Sequence, residues 1–347
     1  MDVVALPTGS PAKSLEWVHD HLVDPVGGFR RWRAHDGSSA PETGRSYGNL
    51  VDSLVVSPSG RYRALYARRG TKALLLDETT LLRELNRSFA YAEDFDYPIA
   101  LGQLPDGRDV LAHCPESIGS LRIEDVATGE VLAEQPTPGN SYFHSRLAFN
   151  PDGRYLLVNG WFWHPEATIE VHDIAAALVN PGALEANLLR RKADGEDAWR
   201  GEVVSACWLG NDRIAVLESP DTFETSTAET DENARSFAGS NTLSVLGVDG
   251  TLHARNRVEV TPGLLAPCGD QVLNLHAHPT LINPATGRTV SAWTALEAGT
   301  ATHCYGVRES RHPVYAYHAP SRRLALAQPD HIAVITLETE AAAAEIG

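Results

Sequence analysis

One pattern recurs along the chain: an apolar strand, a tight turn rich in Pro, Asp and Gly, and a second apolar strand. The clearest copy spans residues 148–160, with the turn at Asn150–Gly153. A second copy spans residues 55–62 and turns through Pro-Ser-Gly. Gly and Asx residues are the ones that tight hairpin turns require. The pattern therefore predicts a protein built from consecutive β-hairpins.

Turns of this type recur every 45–60 residues or so, which is the period of a propeller blade. They fall near residues 58–60, 105–107, 151–153, 210–212, 268–270 and 320–322. Each is followed by a second and a third apolar segment, and several by a fourth. The sequence thus predicts an all-β chain that forms a single β-propeller of four-stranded blades. The count favours six blades, and long segments at 175–200 and 218–241 leave room for a seventh.

The N-terminal region lacks this pattern. Ser10 and Pro11 suit the start of a helix, and apolar residues follow at helical spacing, so a short helix is predicted over residues 11–23. Residues 29–34 are predicted as a strand that completes the last blade and closes the ring. The predicted organisation is an N-terminal arm at 1–28, a propeller at 29–338 and a C-terminal tail at 339–347.

The turns at Asn150–Leu156 and Ser57–Arg61, with the Ala-Thr-Gly-Glu turn at 127–130, resemble those of bacterial WD40-like and YVTN-type propellers. The resemblance covers residues 50–338. It implies the propeller fold. These families include scaffolds, lactonases, quinoproteins and sensors, so the resemblance implies no single function.

Composition narrows the range of partners. The formal net charge of −16 argues against a nucleic-acid partner, because such binding depends on Lys and Arg neutralising phosphates. No segment approaches the roughly 20 apolar residues that cross a bilayer. Four cysteines without a CxxC pair are typical of cytosolic thiols, and the N-terminus does not resemble a signal peptide. We expect a cytoplasmic protein whose partner is a protein or a small molecule, with neither nucleic acid nor membrane as partner.

The blade topology assigns most of the histidines to one face. Connections between second and third strands, and those between blades, lie at the same end of a four-stranded meander. Loops at one end of a rigid scaffold usually carry binding. The predicted ligand- or partner-binding residues on this face are Arg69, His113, Trp161, Trp163, His164, Asp221 and His303. Asp96 and His312 belong to the same set of connections.

Two chemistries suit this face. Imidazoles bind transition metals, and residues i and i+2 share one side of a strand. We expect no cofactor, and the alternative is a divalent transition metal with His144, His276 and His278 as its predicted ligands. Proton transfer without metal is the other, with His144, Asp330 and His331 as general acid or base. A purely structural role for each histidine is the third alternative.

Three functions follow from these observations. The first is a binding or scaffolding propeller that presents its His/Trp/acidic face to a protein partner or a small ligand. The second is a small-molecule enzyme, a hydrolase, lyase or cyclase, with its active site on that face and with or without a metal. The third is a structural subunit of a larger assembly.

Overall fold

The computed structural model describes residues 3–35, 37–40, 46–115, 119–136, 142–162, 166–189, 202–220, 240–306 and 310–337. Its strands form seven antiparallel sheets arranged as the blades of a propeller. The first strands of several neighbouring blades contact one another, which places these strands around the central axis. The predicted all-β propeller is confirmed.

The strands follow the chain in blade order, except that β1 (Val3–Pro7) belongs to the last blade. Blade 1 contains β2 (Glu16–Val18), β3 (His21–Asp24), β4 (Arg30–Arg33) and β5 (Ser39–Ala40). Blade 2 contains β6 (Ser53–Val56), β7 (Tyr62–Tyr66), β8 (Lys72–Asp77) and β9 (Thr80–Asn86). Blade 3 contains β10 (Ile99–Gln103), β11 (Asp109–His113), β12 (Arg122–Asp125) and β13 (Val131–Glu134).

Blade 4 contains β14 (Tyr142–Phe149), β15 (Tyr155–Phe162) and β16 (Glu166–Asp173). Blade 5 contains β17 (Glu202–Leu209), β18 (Arg213–Ser219), β19 (Thr242–Gly247) and β20 (Leu252–Arg257). Blade 6 contains β21 (Leu264–Cys268), β22 (Gln271–His276), β23 (His278–Ile282) and β24 (Thr289–Ala292). Blade 7 contains β25 (Tyr315–His318), β26 (Arg323–Ala327) and β27 (His331–Thr336), with β1 as its outer strand.

The structure has seven blades where the sequence favoured six, and the additional one is blade 1, at the N-terminus, where the sequence predicts a helix. Residues 11–23 instead contain β2 and most of β3, joined by a turn in which His19 has a left-handed φ of 55°. Leu15 and Leu22 are buried on opposite sides of that turn, against blade 7. Their spacing of seven residues fits two helical turns as well as a short hairpin, which is why the pattern alone misassigned them.

An N-terminal strand closes the ring, as predicted, but it is a different strand. β1 pairs antiparallel with β27, from Val3 opposite Ile335 to Pro7 opposite His331. The predicted closing strand at 29–34 corresponds to β4, the third strand of blade 1. Joining the two ends of the chain in one sheet protects the last blade's edge.

Apolar packing between adjacent blades forms the core. Seven buried clusters each join two neighbouring blades around the ring. In the cluster between blades 7 and 1, for example, Leu6 of β1 and Trp32 of β4 are almost fully buried. The core is therefore a ring of interfaces and not a single centre.

In the part of the chain that the structure describes, blade 4 has three strands. After β16 the chain forms α1 (Ile174–Ala177) and a 3₁₀ turn at Pro181–Glu185, and Asn187 then bonds the free edge of β16 by accepting from the Val171 N–H. In the described ranges no helix has the length and apolarity to cross a membrane. The four cysteines are free and buried.

The Asn150–Gly153 turn ties three blades together. The Asn150 side chain accepts from the Tyr155 N–H at 2.9 Å and donates to the Asn211 carbonyl of blade 5 at 2.8 Å. Gly153 has a φ of 70°, and a Cβ there would lie 1.9 Å from the Gln103 carbonyl oxygen of blade 3. Glycine is required at this position for its backbone conformation and for the close approach of blade 3.

Replacing Gly153 with Ala should destabilise the protein by about 3 kcal/mol or more, because left-handed strain and a backbone clash act together. Gly210→Ala is the matched control, since Gly210 has a φ of 74° in the equivalent turn and nothing within 4 Å of a Cβ. Strain alone should cost that variant about 1 kcal/mol. Urea unfolding measures both. Equal losses of unfolding free energy in Gly153→Ala and Gly210→Ala would contradict the close packing of the turn on blade 3.

Candidate functional site

A long loop lies over the predicted functional face. This crossing loop, residues 293–314, joins blade 6 to blade 7 and is described except at 307–309. The Cys304 carbonyl accepts from the Asp96 N–H at 3.0 Å, and the Gly306 N–H donates to Asp94. The Tyr305 hydroxyl donates to Glu202 at the start of β17. The loop thus reaches the blade 2–3 connection and blade 5.

An aromatic stack fixes the crossing loop. The Trp161 ring stacks on Phe143, with centroids 4.2 Å apart, and on Tyr305, with centroids 5.2 Å apart. Phe95 meets this stack edge-on. Trp161, predicted as a binding residue, is only 6% exposed. Because Trp161 stacks on Tyr305, it helps to hold the crossing loop in position.

The connection from β9 to β10 is held by a buried arginine. The Arg87 guanidinium donates to the carbonyls of Gly70, Ala92, Phe95 and Asp96. Burial lowers its pKa to about 10. These four bonds fix the backbone that presents the Asp96 side chain.

Asp96 is the centre of a charged group that we term the Asp96 cluster. Its carboxylate lies 2.6 Å from Arg146 Nε, 3.2 Å from Arg69 Nε, 3.7 Å from His312 Nε2 and 3.9 Å from Arg68 Nη1. Burial raises the pKa of Asp96, but Arg146, His312, Arg68 and Arg69 outweigh it and hold the pKa well below its usual range. Three guanidinium groups thus surround one carboxylate.

Three buried nitrogen atoms of the cluster make no hydrogen bond to the described residues. These are Arg69 Nη1 and both ring nitrogens of His312. Burial, reinforced by Arg68, lowers the pKa of His312 to about 3, although Asp96 opposes the shift. Burial also lowers the pKa of Arg69, against the attraction of Asp96. Arg146, by contrast, also donates to the crossing loop and is fully engaged.

His303, another predicted binding residue, lies beside this cluster in the crossing loop. Its carbonyl accepts from Arg146 at 2.8 Å, and its Nε2 lies 3.7 Å from a Glu202 carboxylate oxygen. Burial lowers the pKa of His303, and Glu202 opposes the shift. The structure therefore brings Arg69, His303, His312 and Asp96 together, as the face prediction implied.

A second group lies in blade 4. Ligand atoms of His144 on β14 and of Glu170 and His172 on β16 all lie within 4.8 Å of one another. Both imidazoles are buried. Burial lowers the pKa of His144 to about 4. Glu170 and a backbone hydrogen bond with Gly119 oppose this shift, whereas His172 adds to it.

His276 and His278 do not join His144. They face each other at the tip of the β22–β23 hairpin in blade 6, across Ala277 with a left-handed φ of 57°. Alternation along one strand predicted that both would point to one side. The turn at Ala277 places them opposite each other on two strands, and His144 lies in blade 4, so the described residues do not bring the predicted His144/His276/His278 set together.

Three other predicted residues have local partners. His113 is buried against Glu124 at 3.0 Å, and Arg83 of blade 2 binds the same carboxylate, so this group joins blades 2 and 3. Asp330 and His331 form an exposed pair, 2.7 Å apart, beside the outer strand of blade 7. Neither group belongs to the Asp96 cluster. Trp163, His164 and Asp221 lie outside the described residues.

Five residues of these groups were missed from the sequence. Glu202 contacts both His303 and Tyr305, and Tyr305 also stacks on Trp161. Arg146, Glu170 and His172 lie within strands. The topology predicts functional side chains in the connections between strands, and these three residues lie outside them. One signal was available: Glu170 and His172 are two apart on one strand and so share its side.

Comparisons with known proteins add the fold and no activity. No protein-family model matches the chain, and no curated protein matches its sequence. Among solved structures, hydrazine synthase of Kuenenia stuttgartiensis superposes with a TM-score of 0.58 at 13% sequence identity. The superposition covers 96% of this chain and 98% of that chain. At this identity the similarity shows a shared β-propeller fold.

The Asp96 cluster predicts a specific acid sensitivity. His312 is neutral in the fold until about pH 3, whereas its ordinary pKa is 6.5. Its contribution to stability is therefore complete above about pH 6.5 and falls as the pH decreases towards 3. Asp96 stays charged throughout that window. The free energy of unfolding should drop between pH 7 and pH 4.5, and less steeply in His312→Gln.

Urea unfolding at a series of pH values measures this slope. His35→Gln is the control, because the His35 side chain is 60% exposed and lies outside the cluster. That variant should keep the wild-type slope. Identical slopes in His312→Gln and wild type would show that His312 is not held neutral by its burial.

Proposed function

We propose that the protein is a ligand-binding propeller, and that its ligand is a small oxyanion, a carboxylate or a phosphate, held by the Asp96 cluster. The observation that carries this proposal is the surplus of positive charge at a buried position in a chain of net charge −16. Arg68, Arg69 and Arg146 face a single carboxylate.

The donors of the cluster suit such a ligand. Guanidinium groups present planar pairs of N–H donors that match carboxylate and phosphate oxygens. Arg69 Nη1 is buried with no hydrogen-bond partner in the described part of the chain. A buried donor without a partner costs free energy, and an oxyanion would satisfy it.

The position of the cluster also favours binding. Arg146 lies on β14 and Asp96 immediately precedes β10, and these first strands line the central axis. The Arg68 and Arg69 side chains keep 21% and 19% of their surface exposed. A small ligand can therefore reach them from the axis, while the crossing loop covers the rest of the cluster.

Phosphate and succinate are the probes that test this proposal. Calorimetric titration at constant ionic strength should show saturable binding of one of them to the wild-type protein. Arg69→Gln should weaken that binding by about 10-fold or more, because a charge-assisted hydrogen bond is lost. His312→Gln, which keeps the cluster's charge at neutral pH, should change it less.

Arg61→Gln is the matched control for charge. Arg61 pairs with Asp77 at the opposite end of the blade, beside the turn at 57–60. Its loss should leave anion binding unchanged. Absence of saturable binding by both anions, or equal weakening in Arg61→Gln and Arg69→Gln, would contradict the proposal.

A small-molecule enzyme on the same face is the second candidate. His312 favours it, because a buried imidazole that stays neutral at pH 7, 3.7 Å from Asp96, could donate a hydrogen bond to an oxyanion that forms on a bound substrate. Analysis of the bound anion after incubation separates the two candidates. Recovery of the anion unchanged supports binding, and its conversion supports catalysis.

Membership of the bacterial WD40-like or YVTN-type propellers stays a prediction from the turn sequences. A cytoplasmic location is likewise a proposal, which rests on the acidic composition and on the free cysteines.

A further inference from the structure

We propose that His144, Glu170 and His172 form a binding site for a divalent transition metal in blade 4, separate from the anion site. The three side chains come from β14 and β16, and their ligand atoms lie within 4.8 Å of one another. Two imidazoles and one carboxylate are a ligand set that suits zinc and chemically similar ions.

Hydrogen bonds orient both imidazoles for this role. His172 Nδ1 lies 3.2 Å from the Ala186 carbonyl, which can only accept, so Nε2 carries the lone pair. His144 Nε2 lies 3.3 Å from Gln135 Oε1, an atom that already accepts from the Leu121 N–H. His144 Nδ1 then carries the lone pair. Metal-binding histidines usually donate their other nitrogen in this way.

The two lone pairs have no donor. His144 Nδ1 and His172 Nε2 are buried and make no hydrogen bond to the described residues. His172 Nε2 lies 3.3 Å from a Glu170 carboxylate oxygen, so two electron-rich atoms face each other. A single proton could join only two of the three groups. A metal ion would bind all three.

The site needs little rearrangement and has access to solvent. Ligand atoms around a tetrahedral zinc ion lie about 3.3 Å apart, so side chains whose ligand atoms are up to 4.8 Å apart would move closer by about 1.5 Å at most. The Glu170 side chain is 21% exposed, whereas the two imidazoles are almost fully buried. An ion can therefore enter beside Glu170, and three protein ligands leave a coordination position for water or a ligand.

Metal titration of the full-length chain tests this site. The protein is prepared without a histidine tag, stripped with a chelator and titrated with Zn²⁺ and, separately, with Co²⁺. One equivalent should bind, and Co²⁺ should give visible absorption bands of low coordination number. His172→Ala and Glu170→Gln should each weaken Zn²⁺ binding by about 10-fold or more, since each loses a direct ligand.

Two further measurements keep the proposal falsifiable. Glu170→Gln preserves side-chain volume at a partly exposed position, so it tests the site even where His172→Ala does not fold. The double variant His276→Ala/His278→Ala removes the other histidine pair and should bind Zn²⁺ as the wild type does. Binding of less than about 0.1 equivalents by wild type would overturn the proposal. Unchanged binding in Glu170→Gln, or loss in the double variant, would overturn it as well.

Discussion

Apolar packing between neighbouring blades is the constraint on which the rest of this structure depends. No blade buries both of its faces alone, and each of the seven clusters needs residues from two blades. The interface between blades 7 and 1 is formed by both ends of the chain. Leu6 of β1 and Ile332 of β27 are fully buried there. Ring closure is therefore a packing requirement as well as a means of hiding a sheet edge.

The buried Asp96 carboxylate depends on the ring of blades to hold its charged partners in place. Asp96 is 1% exposed, and isolated charge at that depth would be costly. Its partners come from blade 2, blade 4 and the crossing loop, so the carboxylate joins segments far apart in sequence. Removing one partner of such a buried group typically costs about 3–5 kcal/mol. The same contacts that position the loop thus create the electropositive cluster.

The turn sequences predicted the fold because they depend on local chemistry. The left-handed φ at position 153 requires glycine, and the Asn150 side chain bonds within its own turn. The six hairpin turns could therefore be predicted without tertiary information. Blade 1 was not visible, because its β2–β3 turn passes through His19 and contains no Gly or Pro. The face that carries Arg69, His303 and His312 followed from topology alone. The sequence did not indicate which side chains complete the two groups, because Arg146 and His172 lie within strands whose sequences resemble those of core strands.

Blade 4 shows how strand interiors come to hold buried polar side chains in this chain. A regular blade covers its third strand with a fourth, and apolar side chains then fill the space. In the described part of blade 4, α1 and the 3₁₀ turn follow the third strand, and they bring the Ala186 carbonyl to His172. Gln135 from the neighbouring blade reaches His144 and also donates to the Leu184 carbonyl of this insertion. Polar groups can be buried in blade 4 because the irregular segment supplies the backbone partners that a fourth strand would have used in its own ladder.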